Sequence, residues 1–282
     1  MSSNIIVPNE EILEKPFPLP YERVAISESD LRNFIDNTIN NKKIYFHNFE
    51  NIDANKRSLL FIPGAGLDYR YVRALKFDNT IFNPPLVIDF LGHGKSEGKG
   101  LDSIEGYSQF MMDALEDWNF NDLHIFGHSM GGLIGLDLLN KLHISIKTFV
   151  MISSIYPIRV ADSLLDAAKS ANSMSADFII KYGVHKRLIG MKNVFPEDKD
   201  MLMFDDLTAC NNYHTDLSAI RNSLVPIIII NGDKDKLINK KHEMEFLNVT
   251  CAKKIEMKDV GHFPFFEDPN TLSDIIAVEI TN

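Results

Sequence analysis

Short runs of consecutive apolar residues recur along most of this chain and alternate with segments whose apolar positions follow a helical period. The runs occupy residues 58–63, 86–90, 123–127, 148–153 and 225–232, and KKIEM at 253–257 is expected to be a further buried strand. Unbroken Ile, Val and Leu runs are typical of strands that helices cover on both faces of a sheet. The stretch KIYFHNF at 43–49 alternates apolar and polar residues instead, which predicts a strand at the edge of that sheet.

Helices are predicted between these strands. The helical periodicity covers residues 103–118, 130–142, 239–248 and 269–280. The last helix begins with Asp268-Pro269, which places an aspartate at the cap and a proline in the first turn. Strands that alternate with helices in this way predict an α/β fold, with a mostly parallel, doubly wound sheet flanked by helices.

Two segments do not follow this alternation. Residues 1–40 contain several prolines and predict an irregular N-terminal arm, with a short helix at 31–39. Residues 154–224 have helical periodicity but no convincing strand, and the interval is too long for a loop within a compact domain. We therefore expect 154–224 to form a helical cap that is inserted into a core made of residues 1–153 and 225–282.

Composition and charge limit the partners that this chain is expected to bind. Apolar residues make up 45% of it and charged residues 24%, as in ordinary soluble globular proteins. The formal net charge of −10 would repel nucleic acid and anionic membranes. No apolar run approaches the roughly 18 residues that a membrane-spanning helix needs. We expect neither nucleic-acid binding nor membrane insertion, and the sequence does not indicate an oligomeric state.

Cysteine usage and the first residues of the chain predict a cytoplasmic protein. Cys210 and Cys251 are too few for a disulfide framework and are expected to be free thiols in a reducing compartment. Residues 1–15 carry acidic side chains where a secretory signal has positive ones. The chain has no phosphate-binding glycine motif and no histidine–carboxylate cluster with metal-site spacing, so we expect no cofactor and no metal.

A serine stands among glycines where a predicted strand meets a predicted helix. The sequence GHSMG at 127–131 fits the pattern G-x-S-x-G in the strand–turn–helix setting that this pattern requires. The sharp turn needs small residues beside the serine, and the dipole of the following helix favours a negative charge that develops nearby. Ser129 is therefore the expected nucleophile, and the alternative is a structural serine in a tight turn.

The residues after the last two predicted strands offer a base and an acid for Ser129. A serine hydroxyl is a weak nucleophile at neutral pH, so it needs a base, and the base needs an acid that orients it. Ligands of open α/β sheets bind at the carboxyl ends of the strands, where Asp233, Asp235 and His262 are expected. The chain order Ser, Asp, His agrees with such a site. Position alone leaves both aspartates open as the acid.

Four stretches of the chain match, in order, motifs of one known family. They are DFLGHGKSEG (89–98), GHSMGG (127–132), NGDKDKLI (231–238) and VGHFPFFEDP (260–269). By these motifs the chain resembles the α/β-hydrolase fold superfamily from about residue 43 to residue 280.

The resemblance implies a role for each candidate residue. It makes Asp235 the acid and Asp233 a turn residue, and it makes His262 the base. It also assigns His93, within DFLGHGKSEG, to packing rather than to catalysis. The family supplies the acid from the final aspartate of a Gly-[Asp/Glu]-x-Asp segment and the base from a Gly-His-Phe-Pro segment, and both segments are present here.

The resemblance also implies an oxyanion hole, which is a pair of backbone N–H groups that stabilise the charged oxygen of the reaction intermediate. The family places a His-Gly-x stretch after an early strand, and here that stretch is Ile62-Pro63-Gly64-Ala65-Gly66. Ala65 would provide one N–H and Met130 the other. Proline replaces the usual histidine at 63, which departs from the family's loop but leaves the backbone N–H role to Ala65. Gly64, His128 and Phe263 are expected to border the substrate pocket.

These features predict a serine hydrolase that cleaves an ester, a thioester or a lactone of a small to medium apolar molecule. The same residues also serve C–C bond hydrolysis, acyl transfer and perhydrolysis in this superfamily, and a non-catalytic binding protein on the same scaffold is the alternative of another class. Methionines and aromatic residues of the interval 154–224 are expected to form the core of the cap, to bind an acyl group, or both. They are Met174, Phe178, Met191, Phe195, Met201, Met203 and Phe204.

Overall fold

A seven-stranded sheet forms the centre of the protein. The computed structural model describes residues 38–39, 41–139, 141, 145–170, 174–186, 195, 201–221 and 223–281. Within them the strands are β1 (Thr38–Ile39), β2 (Lys42–Lys43), β3 (Phe46–His47), β4 (Ser58–Ile62), β5 (Leu86–Ile88), β6 (Leu123–His128), β7 (Ile146–Ile152), β8 (Ile227–Gly232) and β9 (Lys253–Met257). The sheet order is β3-β5-β4-β6-β7-β8-β9, and only the edge strand β3 is antiparallel to its neighbour. This arrangement confirms the predicted mostly parallel α/β sheet.

Helices lie on both faces of this sheet. In the described part of the chain they are α1 (Ile104–Leu115), α2 (Met130–Leu139), α3 (Asp162–Lys169), α4 (Met174–Gly183), α5 (Leu202–Asn212), α6 (Leu217–Arg221), α7 (Lys240–Thr250), α8 (Pro264–Glu267) and α9 (Pro269–Thr281). Alternate residues of β4 face opposite sides: Leu60 packs in the core that includes Leu133 of α2, and Phe61 in the core that includes Leu272 of α9. Burial on both faces explains why the central strands read as mainly apolar runs. Strand β9 was expected to be buried, but it lies at the other edge of the sheet and three of its five residues are exposed.

The register of the parallel strands brings their carboxyl ends to one edge of the sheet. Ile62 at the end of β4 lies opposite Gly127 of β6, and Gly127 lies opposite Met151 of β7. The residues that follow these strands therefore meet above that edge, which is where an open α/β sheet binds ligands.

The structure corrects two predictions at the N-terminal side. Only the last two residues of the helix expected at 31–39 are described, and they form strand β1, paired antiparallel with β2. The other residues of that helix and most of the arm at 1–40 lie outside the described residues. The edge strand expected at 43–49 is shorter than predicted, because β3 holds only Phe46 and His47 and a 3₁₀ turn begins at Phe49.

Helices α3 to α6 lie between β7 and β8, in the interval for which a helical cap is expected. They carry the chain from the end of β7 at Ile152 to the start of β8 at Ile227. The division into a core and a cap remains a prediction about domains. The predicted start of the last helix agrees with the structure: Asp268 Oδ1 accepts a hydrogen bond from the Thr271 N–H at 3.2 Å, and Pro269 is its first residue. Among the residues described, no helix has the length and apolar character to cross a bilayer.

Candidate active site

Ser129 lies at a sharp turn between β6 and α2. Its φ of 50° is in the left-handed region, which non-glycine residues rarely adopt. The Ser129 N–H donates to the Ile152 carbonyl at 3.0 Å, and the Ser129 carbonyl accepts from the Ser154 hydroxyl at 2.7 Å. Both contacts tie the turn to the end of β7. A backbone in this region persists because its surroundings fix it, and such strain is characteristic of functional turns.

Close backbone approach explains two glycines near the turn. A Cβ at Gly131 would lie 2.1 Å from the Ile62 carbonyl oxygen, so α2 can begin beside the end of β4 only without a side chain there. A Cβ at Gly64 would lie 2.8 Å from His128 Nδ1 and 3.2 Å from the Ser129 Cβ. The loop that carries Gly64 and Ala65 therefore packs directly against the serine turn.

His262 and Asp235 form a buried pair near Ser129. His262 Nδ1 lies 2.7 Å from Asp235 Oδ2, and both residues are almost fully buried. Asp235 Oδ1 accepts a second hydrogen bond, from the Leu237 N–H at 2.8 Å, and this fixes the carboxylate. A carboxylate at Nδ1 keeps the proton on that nitrogen and leaves Nε2 free to accept one, which is the arrangement that a general base needs.

Asp233 lies in a different environment, although it is two residues from Asp235. Its Oδ1 accepts from the Asp259 N–H at 2.7 Å, and its Oδ2 pairs with Lys234 at 3.1 Å. These contacts belong to a turn at the protein surface. The structure thus brings Asp235 to His262 and leaves Asp233 in the turn.

Glu267 holds the loop of His262, and it was not predicted from the sequence. The Glu267 carboxylate accepts backbone N–H groups from Gly261 at 3.1 Å, from His185 and Lys186 at 3.0 Å, and from Phe263 at 3.3 Å. It therefore connects the histidine loop to the segment after α4. The only sequence signal was an acidic residue shortly after His262 in VGHFPFFEDP.

A cavity of about 330 Å³ lies above the carboxyl edge of the sheet. Ser129, His262 and Ala65 line it together, as do His128 and Phe263. In this structure no hydrogen bond joins the Ser129 hydroxyl to His262; such contacts are often long before substrate binds. Gly64, which was expected to border the pocket, lies behind its wall against His128 and is not among the residues that line the cavity.

Most of the side chains that the interval 154–224 contributes to the cavity wall are apolar, and Arg159 is a charged residue among them. The lining side chains of that interval include Leu164, Phe178, Ile179, Tyr182, Phe195 and Leu207. Of the methionines and aromatic residues singled out from the sequence, Phe178 and Phe195 line the cavity, whereas Met203 is buried in the core and Met174 is exposed. Met191 lies outside the described residues. Some of these side chains therefore pack in the core and others line the cavity, and their binding of an acyl group stays a prediction.

Two backbone N–H groups are available beside Ser129. Met130 is the first residue of α2, so its N–H has no partner within the helix. Among the described residues, neither the Met130 N–H nor the Ala65 N–H donates a hydrogen bond to another protein group. Both residues adjoin the turn at which Ser129 sits, which is the placement that an oxyanion hole requires.

His128 is a neutral wall residue. Its ring is buried, and Nε2 lies 2.9 Å from the His262 carbonyl oxygen, so this nitrogen donates. Burial, assisted by repulsion from a positive charge on His262, lowers the pKa of His128 to about 3. His128 therefore has a structural contact to the base and cannot itself take up a proton near neutral pH.

Acid should destabilise the protein in part through His128. The folded pKa is lowered to about 3, whereas a histidine in an unfolded chain has a pKa of about 6.5. Between these values only the unfolded state binds the proton, so stability is present above about pH 6.5 and is lost as pH falls toward 3. Replacement His128→Gln keeps a donor for the His262 carbonyl but removes this titration.

We expect the stability difference between wild type and His128→Gln to shrink by about 1.4 kcal/mol for each pH unit below the unfolded pKa. Urea unfolding of both proteins from neutral pH to about pH 4 measures it. A pH-independent difference would contradict this prediction, because it would show that His128 takes up a proton as readily in the folded protein as in the unfolded chain.

Comparison with known proteins shows similarity to hydrolases. The model of the family described as the alpha/beta hydrolase family matches residues 59–275. A protein named putative esterase/lipase 2 from Mycoplasma genitalium is 23% identical over 263 residues, covering 86% of this chain and 96% of its own. The protein of the same name from Mycoplasma pneumoniae is 21% identical over 252 residues, covering 80% of this chain and 90% of its own.

Solved structures share the fold at low sequence identity. A thermophilic esterase superposes with a TM-score of 0.72 at 17% identity, covering 86% of this chain and 95% of its own. An esterase from Exiguobacterium antarcticum superposes with a TM-score of 0.74 at 13% identity, covering 86% of this chain and 97% of its own. At such identities the likeness establishes the shared architecture.

Within the described residues, no group of three or more His, Cys, Asp or Glu side chains could hold a metal ion.

Proposed function

The chain belongs to the alpha/beta hydrolase family and is an esterase-like enzyme of that family, and from this premise we propose that it hydrolyses carboxylic esters through an acyl-enzyme on Ser129. The observation that carries the proposal is the 2.7 Å contact between His262 and Asp235 beside a cavity that Ser129 also lines. Nucleophile, base and orienting acid are the parts that this chemistry needs.

In the first half of the proposed reaction the Ser129 oxygen attacks the carbonyl carbon of the ester. His262 Nε2 takes the serine proton, and Asp235 stabilises the imidazolium that forms. The carbonyl oxygen becomes an oxyanion, to which the N–H groups of Ala65 and Met130 donate. The intermediate then breaks the bond to the alcohol, which leaves with the proton from His262.

In the second half, water releases the acyl group. His262 takes a proton from the water molecule as its oxygen attacks the acyl-enzyme carbonyl. The same two N–H groups stabilise the second oxyanion. The bond to Ser129 then breaks, the serine regains its proton from His262, and the carboxylic acid departs. Every proton that His262 accepts is returned, so the cycle needs no further reactant.

The cavity supports an apolar substrate of modest size. Its volume of about 330 Å³ lies near the lower end of the range of about 300–1,000 Å³ for small-molecule sites. Phe178, Ile179 and Leu207 contribute apolar surface. Burying an acyl chain on such surface contributes about 0.8 kcal/mol per CH₂, but only while the chain fits within the cavity.

Hydrolysis of p-nitrophenyl esters tests the proposal directly. We expect kcat/KM to rise from acetate to a medium-length ester and to fall by about tenfold or more for palmitate, whose chain exceeds the cavity. Replacing Phe178 by Ala should enlarge the cavity, so the ester with the highest kcat/KM should have a longer acyl chain. An optimum at palmitate in wild type would contradict the size estimate.

Two other outcomes would redirect the assignment. A fluorophosphonate that labels Ser129 while no ester is hydrolysed would point to acyl transfer or C–C bond cleavage by the same residues, which a competing alcohol and product analysis then separate. Failure of the probe to label Ser129 would indicate a binding protein on a hydrolase scaffold.

A further inference from the structure

A buried carboxylate from helix α5 reaches the loop that is proposed to stabilise the oxyanion. Asp206 Oδ2 accepts a hydrogen bond from the Gly66 N–H at 2.8 Å, across a separation of 140 residues in the chain. Gly66 directly follows Ala65, whose N–H is a proposed oxyanion donor. Asp206 is fully buried, so this contact lies inside the protein.

Three donors from three segments converge on Asp206. Besides Gly66, His93 Nε2 lies 2.9 Å from its Oδ2, and the Tyr107 hydroxyl donates to its Oδ1 in a short contact. Tyr107 is itself held by the Leu101 N–H, which donates to its oxygen at 2.9 Å. His93 and Tyr107 are as deeply buried as Asp206. The carboxylate is therefore fixed on both of its oxygens.

The contacts of His93 show that this cluster contains an ion pair. His93 Nδ1 lies 3.0 Å from the Leu91 carbonyl oxygen, which can only accept, and Nε2 faces the Asp206 carboxylate, which also accepts. Both ring nitrogens must then carry hydrogen, so the ring is positively charged. Burial alone would lower the pKa of His93, but the attraction of Asp206 outweighs it and raises the pKa.

The oxyanion loop is thus held from two sides. On one side Gly64 packs so closely against His128 and Ser129 that a side chain at position 64 would collide with them. On the other side Asp206 binds the Gly66 N–H, and Gly66 has a left-handed φ of 69°. Ala65 lies between these two fixed points. Its N–H direction therefore depends on both contacts.

We infer that Asp206 is a positioning residue for the oxyanion hole, which it serves by fixing the Gly66 backbone from helix α5. The inference rests on the proposed ester hydrolysis. Burying an ion pair costs desolvation free energy that well-packed apolar residues would avoid, so stability alone does not account for it. Fixed N–H donors stabilise a transition state only when they point to the place where its charge develops.

The test compares Asp206 variants with a neighbour on the same helix. We expect Asp206→Ala to lower kcat on the order of 10²-fold, the effect of a lost oxyanion donor, and Asp206→Asn to lower it by about tenfold. KM should change little, because the substrate carbonyl gains charge only after binding. Asp205→Asn, on the adjacent half-buried residue, should retain wild-type kcat.

Folding effects are separated by two further measurements. Titrating active sites with a fluorophosphonate gives kcat per competent site, and melting temperatures report stability. Hydrogen–deuterium exchange of the peptide that contains Gly66 should be faster in Asp206→Asn than in Asp205→Asn. This exchange requires no activity, so it reports on the loop even if the protein proves not to hydrolyse esters.

The possible results have distinct meanings. Loss of kcat together with faster Gly66 exchange supports the inference. A lower melting temperature with unchanged kcat per site would overturn it and leave Asp206 a purely stabilising residue. Unchanged exchange at Gly66 would also overturn it. Absence of ester hydrolysis and of labelling in wild type would instead refute the proposed function.

Discussion

Replacing Ser129 by Ala should lower kcat for a p-nitrophenyl ester by about 10⁶-fold and leave the fold intact. The substitution removes only the oxygen that attacks the substrate, whereas the backbone contacts from the Ser129 N–H and carbonyl to Ile152 and Ser154 remain. Substrate binding should persist, because the cavity wall is unchanged. Steady-state kinetics measure kcat, and a melting curve measures the stability of the fold. Binding of a slowly reacting ester measures whether the variant still binds substrate.

The control for this variant is Ser170→Ala. Ser170 is an exposed serine at the end of α3 whose hydroxyl donates to the Ala167 carbonyl, outside the cavity. We expect it to retain wild-type activity and to be ignored by a fluorophosphonate, whereas mass spectrometry should find the label on Ser129. Substantial activity in Ser129→Ala would refute Ser129 as the nucleophile.

Replacing Asp235 by Asn should lower kcat by about 10⁴-fold, whereas Asp233→Asn should have almost no effect on kcat. The carboxylate at Asp235 accepts from His262 Nδ1, and in the proposed reaction it stabilises the positive ring that forms. An amide supplies no negative charge and can hold the ring in the wrong tautomer. Asn at 233 keeps an acceptor for the Asp259 N–H and has no contact to His262.

This pair of variants is a matched comparison, because the same chemical change is made two residues apart. Each protein is measured for kcat, KM and melting temperature at several pH values. A large loss in Asp233→Asn with an active Asp235→Asn would reverse the assignment of the acid. Equal losses in both, with lowered melting temperatures, would show that the turn itself is required.

The local pattern of the chain determined the class of the fold and the place of the proposed nucleophile. Strands buried on both faces are apolar at most positions, so β4, β6, β7 and β8 were visible as mainly apolar runs. The serine turn was visible because its steric demand falls on residues beside Ser129 in sequence. The order of strands then placed Asp235 and His262 at the same edge.

Predictions from the local pattern were wrong where an element depends on pairing with another part of the chain. The strand expected at 43–49 is only two residues long, and residues 38–39 form a strand rather than the end of a helix. In both places the length and type of the element depend on pairing with another segment of the same chain. Alternation alone carries no information on whether a partner strand is present along its whole length.

Tertiary structure alone decided how the site is held. Glu267 binds backbone N–H groups of the His262 loop and of the segment after α4, and Asp206 reaches Gly66 from 140 residues away. Neither carboxylate has a periodicity or a motif that marks its partners, because a hydrogen bond depends on distance in space and not on separation along the chain. The sequence by itself therefore determined the fold class and pointed to the residues proposed to react, and the folded structure determined which groups keep those residues in place.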